Sequence, residues 1–111
     1  MNVNFNGYGE NVLTFIADSN LIEIGVPVKV INNGTVTKCD DNENFCGICI
    51  GLRDGYAAVQ LAGYVRAKTA AKIAVGYKKL AAGSTGDVVE NVSGREYLVV
   101  DTTSTEIGFI L

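Results

Sequence analysis

Histidine and tryptophan are absent from this 111-residue chain, and proline occurs once. Without histidine, no side chain has an ordinary pKa near neutrality with which to act as a general base. Cysteine is sparse and odd in number, three in all, which argues against a disulfide framework. No segment approaches the roughly 20 consecutive apolar residues that span a bilayer as a helix, so no membrane partner is expected. The start, MNVNFNGYGEN, carries neither the basic stretch nor the apolar run of a secretory signal, and synthesis in a cytoplasm is expected. Acidic residues are missing from 55–86, where the five bases Arg66, Lys68, Lys72, Lys78 and Lys79 stand alone. That cluster reads either as a lysine-decorated, solvated edge or as a positive patch for an acidic partner surface. Five bases with one nearby tyrosine are too thin a footprint for nucleic acid.

What remains is the composition of a folded domain, 48% hydrophobic and 19% charged, with thirteen glycines that suggest many turns. A chain of this length buries one core without metal or disulfide staples. The reading is therefore a single β domain over residues 12–111, preceded at 1–11 by a short polar arm with Phe5 and Tyr8 as its anchors.

Strand signals recur about every ten residues. Residues 12–17 alternate weakly; Val26, Val28 and Val30 share a face, and Pro27 marks an edge or a strand start. Asn33-Gly34 and Asp54-Gly55 each separate two β-like runs, the strongest short-range hairpin signal. Cys46, Ile48, Ile50 and Leu52 then line one face of a strand, with Gly47, Cys49 and Gly51 on the other. Residues 67–74 read as a loop or a short helix, with a strand near 73–81; further strands are expected at 88–92, 95–100 and 106–111. The expected fold is all-β, a small barrel or tight sandwich of about eight to ten short strands.

The stretch Asp54–Arg66 is the most informative. It alternates with a period of two, placing Ala57, Val59, Leu61, Gly63 and Val65 on one face and Tyr56, Ala58, Gln60, Ala62 and Tyr64 on the other. A half-exposed strand ordinarily sets charge on its second face. Here that face is small, aromatic and uncharged until Arg66, so another sheet or another subunit is expected to cover it.

Chemical motifs are weak. Cys46-Gly-Ile-Cys49 matches the C-x-x-C pattern of redox and zinc sites. In a strand, however, positions three apart face opposite sides and lie about 10 Å apart, beyond the roughly 7 Å limit of a disulfide. Zinc would need Cys39 and a fourth ligand; buried, reduced thiols are the expectation, with no metal and no cofactor. Asp40, Asn42 and Asn44 alternate like part of a calcium loop, but Phe45 stands where glycine is needed, so a solvated turn is the better reading. No arrangement places a nucleophile beside a base, and no enzyme activity is expected.

The succession GVPVKV (25–30), NGTVTKC (33–39), NFCGICIGLRDGYAAVQLAGYV (44–65), GYKKL (76–80), REYLVV (95–100) and IGFIL (107–111) resembles the small head (capsid) decoration proteins of bacteriophages and of Firmicutes prophages. The resemblance covers most of the chain and rests on strand and turn patterns. It implies an all-β virion structural protein without catalytic residues, found on the capsid surface, with the major capsid protein and its own copies, as a homotrimer, for partners. Under it, Phe5, Tyr8, Tyr56, Ala58, Ala62, Tyr64, Arg66, Lys68 and Lys72 are the interface residues. Two alternatives stay open: a small-ligand- or sugar-binding β-barrel using Tyr56, Tyr64 and Tyr77, and a head–tail joining or tail component of the same particle.

Overall fold

A computed structural model of the chain describes residues 9–70 and 72–111. Among these it is all-β, with ten strands: β1 Asn11–Ala17, β2 Pro27–Asn32, β3 Thr35–Lys38, β4 Gly47–Arg53, β5 Tyr56–Ala62, β6 Tyr64–Lys68, β7 Gly76–Ala82, β8 Val88–Glu90, β9 Arg95–Thr102 and β10 Glu106–Ile110. The first five close into a barrel in the order β1-β3-β2-β4-β5, and the last five form a sheet in the order β6-β10-β9-β7-β8. The expected all-β fold of about ten short strands is present, as a barrel with a second sheet packed beside it.

The turns form where their residues demand. Asp54 and Gly55 both adopt positive φ, 51° and 81°, as a two-residue type I′ hairpin loop requires, and join β4 to β5. The β2–β3 loop uses one left-handed residue, Gly34 at φ 62°, and the register shifts between Val30 and Asn32 to accommodate it. Pro27 opens β2, where a missing N–H costs no ladder bond, and its carbonyl accepts from the Cys39 amide.

Two cores form, one inside the barrel and one shared between the barrel and the second sheet. Inside the barrel, Val28, Val36, Cys49, Ala57 and Val59 are fully buried, with Phe15 and Leu61 packed against them. Between barrel and sheet, Cys39, Phe45 and Ile48 meet Val65, Ile73, Leu80, Tyr97, Val99 and Phe109. At its centre Phe45 stacks on Tyr97 with ring centroids 5.3 Å apart, and Phe109 meets both edge-on.

Two sequence expectations are corrected. Asp54–Arg66 is not one strand: Gly63, at φ 87°, bends the chain so that β5 stays in the barrel and β6 becomes an edge of the second sheet. The Gln60 side chain clamps the bend, donating from Nε2 to the carbonyls of Ala62 (3.1 Å) and Tyr64 (2.7 Å). Second, Cys46, Ile48, Ile50 and Leu52 do not share a face. The β4–β5 register shifts between Cys49 and Gly51, so Ile50 is a bulge residue. Beyond it Leu52 faces the barrel interior opposite Ala57, whereas Ile48 faces the second sheet. Of the loop or short helix expected at 67–74, the described residues show the loop: β6 runs to Lys68 and the irregular link to β7 buries Ile73.

All three cysteines are free. Cys39 is buried, and desolvation, aided by the nearby Glu43 charge, pushes its thiol up to about 12. Burial also pushes Cys46 and Cys49 up. A thiolate is the reactive form, so all three thiols of the native protein are expected to resist an aromatic disulfide reagent at pH 8 and to react only in denaturant. Rapid reaction of one thiol in the native state would contradict this packing.

Candidate interaction surface

The uncharged face of β5 is partly real and partly dispersed by the Gly63 bend. Cross-strand register puts Arg53, Tyr56, Ile16 and Thr35 in one row of the barrel's outer surface, and Gly51, Ala58 and Thr14 in the next. A third row, Ile48, Gln60 and Val12, turns under the second sheet at Ile48. Tyr56 (55% exposed) and Ile16 (51%) stand beside each other, with the small residues Ala58, Gly51 and Thr14 flattening the surface next to them. Its one charged residue is Arg53, exposed at the rim and 3.8 Å from the Asp54 carboxylate. Exposed apolar surface of this kind, contiguous and rimmed by charge, is typical of contact sites.

The other expected interface residues lie elsewhere. Phe5 and Tyr8 fall outside the described residues. Ala62 closes β5 opposite Asn11 at the barrel's end. Lys72 is exposed in the link to β7, and Lys68 is exposed on the edge strand β6.

Tyr64 and Arg66 belong to a polar network on the outer face of the second sheet. The Arg66 guanidinium donates to Asp101 Oδ2 (2.8 Å), to the Tyr64 hydroxyl (2.9 Å) and to Glu106 Oε1 (3.2 Å), and the Tyr64 hydroxyl donates to Asp101 Oδ1 (3.0 Å). Burial opposes the Arg66 charge, but these partners outweigh it and hold its pKa above the ordinary guanidinium value. Burial likewise raises Tyr64. Gly108 lies in β10 between Arg66 and Asp101, and a side chain there would collide with the Tyr64 hydroxyl and the Asp101 carboxylate. Of the five bases in 55–86, Arg66 is therefore already neutralised by its own sheet.

The acidic loop is tied down in the same way. Glu43 bonds Lys29 Nζ at 2.7 Å and accepts from the Asp40 amide, interactions that hold its carboxyl below the usual range. Asn42 and Glu43 pair through their backbones with Ala82 of β7. No group of three or more potential metal ligands comes together among the described residues.

The three tyrosines of the ligand-binding alternative do not converge. Tyr56 borders an open hollow of about 330 Å³ beside the β4–β5 turn, and Tyr77 borders another of about 370 Å³ along β7. Tyr64 is covered, in the network above. Sequence reasoning missed Ile16, Thr14 and Gly51 as neighbours of Tyr56; β1 signalled Ile16 and Thr14 only by being uncharged throughout, NVLTFIA, and nothing local signalled Gly51 of β4. No protein-family model matches the chain, and no curated protein matches it.

Proposed function

We propose that this chain is a non-enzymatic phage or prophage virion structural protein that binds and stabilises the capsid surface as a homo-oligomer. The observation that carries the reading is the flat, uncharged surface of β4, β5 and β1 around Tyr56, Ala58 and Ile16. It is mounted on a closed barrel whose core is filled. A protein that holds a shell together needs a stiff domain and an adhesive face. Repetition over many sites lets modest affinity at each suffice. The filled barrel and the scattered tyrosines speak against a ligand-binding barrel.

Quantitative mass spectrometry of particles released by prophage induction tests the proposal. A copy number comparable to that of the major capsid subunit supports capsid decoration. A few copies per particle would move the chain to the head–tail junction or the tail, and absence from intact particles would end the virion reading.

A further inference from the structure

Asn33 and Gly34 make the turn between β2 and β3, and both are exposed. Asn33 engages its neighbours through its backbone alone. Its amide donates to Asn32 Oδ1 (2.9 Å), and its carbonyl accepts from Thr35 Oγ1 (3.2 Å). Among the described residues, the Asn33 side chain has no hydrogen-bond partner, and the Gly34 N–H donates to none. Nothing lies within 4 Å of where a Gly34 side chain would stand. The electrophilic carbon of a free carboxamide thus neighbours a backbone nitrogen that carries no bond and no crowding Cβ.

We infer that Asn33 is a site of spontaneous covalent modification, and that its isoaspartyl product loosens the seam between β1 and β3. Gly34 N loses its proton to hydroxide and attacks Asn33 Cγ. The N–Cγ bond forms, the Cγ–Nδ2 bond breaks, and the amide nitrogen takes a proton from water and leaves as ammonia. The cyclic imide then opens by adding water at one of its two carbonyls. One opening gives aspartate at position 33. The other gives isoaspartate, in which the main chain runs through the former side-chain carbons.

The seam feels the difference. The Gly34 carbonyl accepts from the Ile16 amide at 2.7 Å, directly beside the Ile16↔Thr35 pair. Isoaspartate adds one methylene to the main chain just before Gly34, so that carbonyl and the Thr35 pairing cannot both keep their register. Either product also sets a carboxylate at the end of the row of Tyr56, Ile16 and Thr35.

Other positions lack the combination. Asp54-Gly55 also makes a hairpin turn, and its Gly55 carbonyl accepts from Ala17. A carboxylate, however, is a poorer electrophile than an amide and has no ammonia to expel. The remaining asparagines among the described residues precede residues whose side chains crowd the attacking nitrogen, and Asn6-Gly7 lies outside the described residues. None of this depends on the capsid reading.

Ageing the full chain in warm, mildly alkaline buffer, followed by peptide mapping and separation of the charge forms, tests the inference. A synthetic peptide of residues 29–38 is the unrestrained reference. Asn33→Asp supplies the charge without the inserted methylene. Asn33 in the folded chain is expected to convert within about tenfold of the peptide's rate; a tenfold slowing would mean that the turn opposes attack by about 1.4 kcal/mol. Hydrogen exchange at the Ile16 amide is expected to run at least about tenfold faster in the isoaspartyl form than in the native chain, and to be unchanged in Asn33→Asp. An Asn33 that outlasts the peptide by more than about tenfold overturns the inference. So does an isoaspartyl form whose Ile16 amide keeps its native protection, or an Asn33→Asp protein that loses it equally. Particle copy number bears on the virion reading alone, so the two fail separately.

Discussion

Phe109→Ala is expected to destabilise the protein by about 3–5 kcal/mol, the usual cost of truncating a buried phenylalanine. Phe109 has no exposed surface and sits edge-on to both Phe45 and Tyr97. Phe45 comes from the barrel side and Tyr97 from β9 of the second sheet, so the lost ring leaves a cavity where the two halves meet. Domains of this size are stable by only about 5–15 kcal/mol in all, and the melting temperature should fall by roughly 10–20 °C. Urea unfolding measures the change directly. A loss under 1 kcal/mol with unchanged slope would mean that the barrel and the sheet do not share this core.

Gly108→Ala is the second large effect, at about 2–4 kcal/mol. Gly108 needs no unusual backbone; what it supplies is room, since its missing side chain is where the Tyr64 hydroxyl and the Asp101 carboxylate lie. A methyl group must push them aside and break the bonds that fix Arg66 between Asp101 and Glu106. The cause is separable from a simple propensity effect. In a Tyr64→Ala, Asp101→Ala background the obstruction is gone, and Gly108→Ala should cost less than about 1 kcal/mol, a coupling that a double-mutant cycle reads out. Equal costs in both backgrounds would contradict the network as drawn.

Much of the fold was legible where the local signal and the tertiary outcome agree. Asp54-Gly55 and Asn33-Gly34 make the hairpins their residues prescribe, and Pro27 opens a strand. The failures share a physical cause: both breaks in pairing preserve the alternation of the sequence. Gly63 bends the chain between sheets, yet Tyr64 and Arg66 follow in phase with Tyr56 and Ala58, so the letters continue a strand that the backbone abandons. The bulge at Ile50 likewise hides within an unbroken apolar alternation. Of the contact face, Tyr56 and Ala58 were legible because they share a strand. Ile16 and Thr14 join them only through the β1–β5 register, and Asp101 reaches Arg66 across 35 positions of sequence. Neither relation leaves a local trace.

The central claim, that the outer β4-β5-β1 face holds this protein on a capsid, is tested most directly by co-sedimentation with its own particles. Particles from a lysogen lacking the gene are mixed with purified native chain or with Ala58→Arg, which sets a charge in the middle of that face. Ala58 is only partly buried, so the variant should fold. The account predicts saturable pelleting of the native chain and at least a tenfold weaker association of the variant. Native chain that stays in the supernatant, or a variant that pellets equally well, would contradict it.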